Sequence, residues 1–232
     1  MNEVLETQGE AIRKGSEMMA EAIARKSNIY AFGAGHAGIL AQELVYRTGG
    51  LAVINLVYAP GLTLDVRPIT LTSYVERQEG YGRALIDSTD IKEGDLLIMH
   101  SVSGRNTVPV DMAIRAREKG AKVICLTNLK YSKSVPSRHP SGQHLYEVSD
   151  LIIDNCGDIG DAAMEVPNVP QKVASSSTVV GAAILDSMVA ETVEILAEQG
   201  IVPPVFCSAN MEGGDAINKV ILDTYNENIK YM

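Results

Sequence analysis

Apolar residues recur along this chain in two rhythms. From position 2 to about 26, Val4/Leu5, Ala11/Ile12, Met18/Met19 and Ala22/Ile23 form a continuous stripe at helical spacing, which predicts one amphipathic helix. Short apolar runs bounded by glycines or polar turns predict five strands: Ile29 to Phe32, Leu51 to Val57, Leu96 to Met99, Lys122 to Thr127 and Leu151 to Asp154. Helical patterns lie between them, over Ala37 to Arg47, Thr72 to Ser88 and Val110 to Arg117, and a long one follows over Ser177 to Gln199. Residues 130–147 and 155–174 read as loops. Pro203-Pro204 opens a tail in which Ala216 to Asn226 form a last helix. Strands that alternate with helices imply a parallel sheet covered on both faces. The pattern divides the chain into an N-terminal helix (1–26), a main α/β domain (27–200) and a C-terminal tail (201–232).

Composition narrows the class. The 232 residues are 46% hydrophobic and 21% charged, which describes an ordinary globular chain. A net charge of −9 argues against a nucleic-acid surface, which needs a basic patch. It leaves room for a small anionic ligand, because clustered N–H donors override a global field locally. Cys125, Cys156 and Cys207 show no paired spacing, which fits a reducing cytoplasm, and Cys125 sits inside an apolar run as a core thiol. No apolar run approaches the roughly 20 residues that span a membrane. No His-x3-His or Cys-x2-Cys spacing is present, so no metal and no cofactor are expected.

The candidate chemistry starts where the third strand ends. Ser101-Val-Ser-Gly-Arg-Asn106 joins that strand to a helix. Free N–H groups and the positive dipole end of the helix face any ligand there, and Ser101, Ser103 and Asn106 add polar side chains. Simple helix capping needs one such residue, not four within six positions. A second glycine-rich turn, Gly33-Ala-Gly-His-Ala-Gly38, follows the first strand and matches the dinucleotide fingerprint G-x-G-x-x-G. That fingerprint wants an acidic residue roughly 20 positions on, and the second strand offers only Asn55. NAD binding is therefore the lesser alternative. A third element, Ser175-Ser-Ser-Thr178, stands at the start of the long helix, where hydroxyls meet another helix dipole.

Ser101-x-Ser-Gly-x-Asn106 resembles the Ser-x-Ser-Gly-x-Thr phosphosugar loop of the sugar isomerase (SIS) domain family, with Asn106 in the Thr position. The resemblance covers about Asn28 to Gln199. Three further runs resemble the UPF0309 subgroup: Gly104-Arg-Asn-x-Val-Pro109, Ser134-Val-Pro-Ser-Arg-His-Pro-Ser-Gly142 and Pro203-Pro-Val-Phe-x-Ser-Ala-Asn210. The resemblance implies a flavodoxin-like three-layer αβα sandwich with a five-stranded parallel sheet in the order 2-1-3-4-5. That order brings the loops after strands one and three to a single crevice. It also implies phosphate contacts from Gly35 and His36, with His36 in the place of the family serine, and from Ser175, Ser176, Ser177 and Thr178. The ligand implied is a phosphorylated sugar, the activity an aldose–ketose isomerase related to phosphoheptose isomerase, and the assembly a homodimer or homotetramer. An etherase of amino-sugar phosphates and a non-catalytic phosphosugar sensor are the alternatives.

Isomerisation needs a base that moves a proton between neighbouring carbons and a group that handles the carbonyl oxygen. Glu43, in Ala41-Gln-Glu-Leu-Val-Tyr-Arg47, resembles the helix glutamate that serves as base in phosphoheptose isomerases; a salt bridge to Arg47 at i+4 is its structural alternative. Glu79 is a second candidate. Of the four histidines, His100 borders the third-strand loop, and His139 lies in Ser137-Arg-His-Pro140; both are candidate acid–base groups. Arg138 suits bidentate binding of a carboxylate or phosphate.

Overall fold

A computed structural model describes all residues, 1–232. Its frame is a parallel sheet of β1 (Ile29–Gly33), β2 (Ile54–Leu56), β3 (Leu96–His100), β4 (Lys122–Thr127) and β5 (Leu151–Asp154), in the order β2-β1-β3-β4-β5. Register is continuous across it, with Ile29 beside Leu96 and Leu96 beside Lys122. Strand side chains alternate between the faces, so each strand feeds two cores. Ile29, Ala31, Leu96, Ile98, Ile124 and Leu126 pack under α2 (Gly9–Ala24), α3 (Ala37–Glu43) and α8 (Ser177–Glu198). Tyr30, Phe32, Leu97, Met99, Val123 and Cys125 pack under α5 (Tyr81–Asp87) and α6 (Thr107–Glu118). This is the three-layer αβα sandwich expected. No helix is long and apolar enough to cross a membrane.

Several elements differ from the sequence pattern, each for a tertiary reason. The first stripe is two helices, α1 (Asn2–Thr7) and α2, because Gln8 leaves the helix to accept a hydrogen bond from the backbone of Asp154 (3.0 Å). The helix after β1 stops at Glu43, short of Arg47. Tyr46 then takes a left-handed backbone (φ 49°) and sets its ring edge-on against Phe206 and Tyr231 of the tail. The expected helix over Thr72 to Ser88 is split into α4 (Leu71–Val75) and α5 by Gly80 (φ 78°), whose N–H donates to Asp111 (2.8 Å). Residues 130–147 are not plain loop: α7 (Leu129–Ser134) begins on the side chain of Asn128, and a 3-10 turn covers Leu145–Val148. Residues 155–174 contain a hairpin, β6 (Ala162–Met164) with β7 (Val173–Ser175).

The tail is tied to the β2 edge. Val205 bridges Leu51, and Phe206 exchanges backbone bonds with Gly49 and Gly50. After α9 (Gly214–Thr224), Asn228 accepts from Asn55 (2.9 Å) and Ile229 packs on Ala52 and Phe206.

One buried carboxylate sets the strand order at the N-terminal edge. Asp95, 1% exposed, accepts from the backbone (2.8 Å) and side chain (3.3 Å) of Asn28 and from Lys92 N–H (3.0 Å), and so locks β1 beside β3. Asp95→Ala strands these donors in the interior. Its expected cost is about 3 kcal/mol or more, read as a lowered midpoint in urea denaturation.

Candidate functional site

The loops after β1 and β3 meet at the switch point, at the C-terminal ends of the strands. The loop after β3 is held from behind by its carbonyls. Ser101 O and Val102 O accept from the Thr127 hydroxyl (2.7 and 3.1 Å), and Val102 O also accepts from Asn128 N–H. Gly104 O accepts from Leu145 N–H and Arg105 O from Arg138 N–H, both at 2.8 Å. The amides of Val102 through Thr107 are left with no acceptor in the chain. Gly104 makes the turn at φ 56°, with Ser132 Oγ 3.0 Å from where a Cβ would stand. The hydroxyls of Ser101 and Ser103 make no bond within the chain. A run of free amides leading into a helix N-terminus is an anion cradle.

Asn106 is the N-cap of α6 by position, yet its side chain caps nothing. Its Oδ1 accepts from Arg138 (2.8 Å), and its side chain lies beside the Glu76 carboxyl. Glu76 is half-buried. Burial raises its carboxyl above the usual range, against the opposing pull of Asn106, Arg138 and Arg77. Desolvation, then the like charges of Arg105 and Arg77, draw Arg138 below the ordinary guanidinium range. None of these three arginines has a carboxylate oxygen within ion-pair distance, and the buried Arg105 Nε has no acceptor at all. Most other arginines are paired, including Arg83 with Glu118 and Arg115 with Asp87. Three unpaired guanidiniums beside free amides, in a chain of net charge −9, make a local site for an anion.

The glycine loop has a different job. A Cβ on Gly33 would lie 2.3 Å from Ala37 O, so the glycine permits the close strand-to-helix turn. The Gly35 N–H is spent on Leu62 O (2.8 Å), and His36 is exposed. Asn55, the position where a dinucleotide site needs an acid, is buried and bonded to Ile29, Val53, Asn228 and Lys230. It faces the tail, which removes the support for NAD.

The candidate acid–base groups separate. Glu43 lies at the far end of α3, paired with Arg47, in a groove with Asp186, Val189 and Val193 of α8. It stands five residues of helix, about 8 Å, beyond Gly38 at the end of the glycine loop. His139 Nε2 meets the buried Asp111 (3.1 Å), whose second oxygen fixes Gly80, and its Nδ1 meets Ser141 (2.7 Å). His100 ends β3 with 4% exposure. Its Nδ1 faces Ala37 O (3.1 Å), which only accepts, so the proton is on Nδ1 and Nε2 is a bare lone pair. Burial pushes its pKa down to about 4. His100 is therefore neutral at pH 7, with Nε2 as an acceptor and not a donor.

At α8, Ser175 is exposed on β7, and Ser176 and Ser177 are engaged by the Asp161 carboxylate; Thr178 follows in the first turn. Asn128 joins the loops that follow β3 and β5, its N–H on Val102 O and its side chain on Asp158 O (2.9 Å). No three His, Cys, Asp or Glu side chains converge as a metal site would require. Arg77, Arg105, Glu76, Asn128 and Asp161 were not marked by sequence pattern. Of these, only Arg105 lies inside the serine loop; the rest come from distant segments.

A pH signature follows for His100. The unfolded imidazole takes a proton near pH 6.5 and the folded one only near 4, so between these values the unfolded state binds more protons and stability falls as pH falls. Denaturation at pH 7 and near pH 4 should differ through this group by about 3 kcal/mol. His100→Gln should lack that share of the slope.

The SIS domain family matches residues 1–128. A UPF0309 protein of Shouchella clausii is 52% identical over 223 residues, covering 96% of this chain and 91% of its own length. One of Oceanobacillus iheyensis is 48% identical over 232 residues, covering 100% and 94%. Among solved structures, a phosphoheptose isomerase from Francisella tularensis shares the fold at a TM-score of 0.51 and 14% identity, over 81% of this chain and 90% of that one. With its serine loop, 2-1-3-4-5 sheet and these relatives, the chain belongs to the SIS domain family and, within it, to UPF0309.

Proposed function

We propose that this protein binds a phosphorylated sugar and moves a proton between neighbouring carbons of it, as an aldose–ketose isomerase does. One observation carries the reading: the free amides of Val102 through Thr107, flanked by three arginines without carboxylate partners. Phosphate is the sugar-borne group with enough acceptor oxygens to use them. The amides and the Ser101 and Ser103 hydroxyls take the phosphate, and the α6 dipole adds to the attraction.

For the base, Glu76 fits better than Glu43. Its carboxyl is raised above the usual range by burial, and its backbone carbonyl accepts from Val108 N–H (3.0 Å) in the first turn of α6, beside the loop that anchors the phosphate. Glu43 is held in an ion pair away from that loop. His100 Nε2 can accept a hydrogen bond from a sugar hydroxyl without changing charge.

The test is a thermal-shift series with aldose and ketose phosphates against the same sugars without phosphate. Only the phosphates should raise the melting temperature. Ser103→Ala should weaken binding by roughly tenfold and Arg138→Ala by at least as much. Glu76→Gln should cut turnover by roughly a hundredfold or more while leaving affinity near wild type, and Glu43→Gln should leave turnover within a few-fold. Equal shifts with and without phosphate would sink the cradle. Loss of turnover in Glu43→Gln but not Glu76→Gln would return the base to α3.

A further inference from the structure

The N-terminus of α8 already holds an anion, and that anion is the chain's own Asp161. One carboxylate oxygen accepts from Ser177 N–H (2.8 Å) and, shared with the Asp161 backbone carbonyl (3.2 Å), from Ser176 N–H (3.3 Å); the other accepts from the Ser177 hydroxyl (2.7 Å). These are the donors that a ligand's phosphate or carboxylate would use. Asp161 stands at the foot of the β6–β7 hairpin, with a left-handed backbone at φ 71°. No residue from Ala162 to Ser175 is buried, so almost no apolar contact holds the hairpin down. Its ion pair, Asp158 with Lys172, is exposed and adds little.

Two buried polar groups in the neighbourhood of this contact have no partners. His100 Nε2 has no donor, and Asn155, 3% exposed, has no acceptor for its Nδ2. A Cβ on Gly157 would lie 3.0 Å from Asn155 Oδ1 and 3.4 Å from Ser176 Oγ, which places Asn155 beside the α8 terminus. Asp161 is also the charged group that His100 senses. Buried orphans of this kind are uncommon, and a pair of them near an exposed hairpin marks a ligand's place.

We infer that the N-terminus of α8, with Asn155 and His100 near it, is a ligand subsite that Asp161 holds shut, and that an anionic group of the ligand enters by displacing the Asp161 carboxylate. The exchange is one anion for another on the same three donors, so the helix terminus stays satisfied throughout. Lifting the hairpin opens His100 Nε2 to a ligand hydroxyl and Asn155 Nδ2 to a ligand oxygen. The identity of the ligand as a sugar phosphate rests on the function proposed above; the displacement itself rests on the hairpin alone.

Inorganic phosphate is the probe, followed by backbone amide shifts. Asp161→Asn keeps the side chain's shape and removes its charge. Phosphate affinity read at Ser176 and Ser177 should rise tenfold or more, and Ser177→Ala added to Asp161→Asn should abolish the gain. Unchanged affinity at these amides overturns the inference. In the wild-type protein, saturating phosphate should speed hydrogen exchange across Ala162 to Ser175 at least tenfold while slowing it at Ser177. A hairpin equally or better protected with phosphate also overturns it. The amides of Ser103 to Thr107 report separately on the other terminus. Response at Ser176 and Ser177 alone would leave the latch standing and end the phosphate-cradle reading; response at Ser103 to Thr107 alone would do the reverse.

Discussion

The carbonyls behind the β3–α6 loop are the constraint on which the cleft depends. A six-residue loop on a protein surface would ordinarily pair its own donors and acceptors in turns. Here Thr127, Asn128, Arg138 and Leu145 take the acceptors from the rear, and the donors are left facing outward. The sheet supplies two of those four, since Thr127 ends β4 and Asn128 caps α7 directly after it, and Arg138 and Leu145 come from the segment that follows α7. Parallel order puts both strand ends on one edge, so the sheet builds the backing of the loop while it builds the core.

Electrostatics at this edge runs against the charge of the whole chain. A net charge of −9 gives a repulsive background for an anion, and the protein answers locally with two helix termini and three unpaired guanidiniums. At α8 the compensating charge comes from within, through Asp161; at α6 no side chain caps the helix N-terminus. The two helix termini therefore differ in state, one closed by an internal carboxylate and one open, and Asn128 bonds the loop that precedes α6 and the loop that leads to Asp161. His100 fits the same economy. It ties the turn after β1 to the end of β3 through a neutral imidazole, which adds no charge to a site built for an anion.

Much of the frame was legible from pattern. Lys122 to Thr127 and Leu151 to Asp154 are strands to the residue, because a buried parallel strand needs an unbroken apolar run and polar residues end it. The serine loop was also legible, since Ser, Gly and Asn between a strand and a helix have few other uses. The breaks within the longer elements were not. Gln8, Tyr46 and Gly80 interrupt helical stripes to satisfy Asp154, Phe206 and Asp111, each far away in sequence. Periodicity reports which face is apolar, and it is blind to a distant partner that recruits one residue out of the helix.

The sequence by itself determined the class of fold, the alternation of the strands between two cores and the position of one anion-binding loop. These depend on local spacing and on which residues water rejects. Tertiary structure alone decided which titratable groups share the cleft. Glu43 and the glycine loop are neighbours in the chain, yet five residues of helix beyond Gly38 carry the carboxylate to a different groove. Glu76, Arg105 and Arg138 come from three segments and meet around Asn106. Asp161 reaches Ser177 only because a hairpin folds back by sixteen residues. Charge and hydrogen bonding act over a few ångströms in space, and chain separation carries no record of that distance.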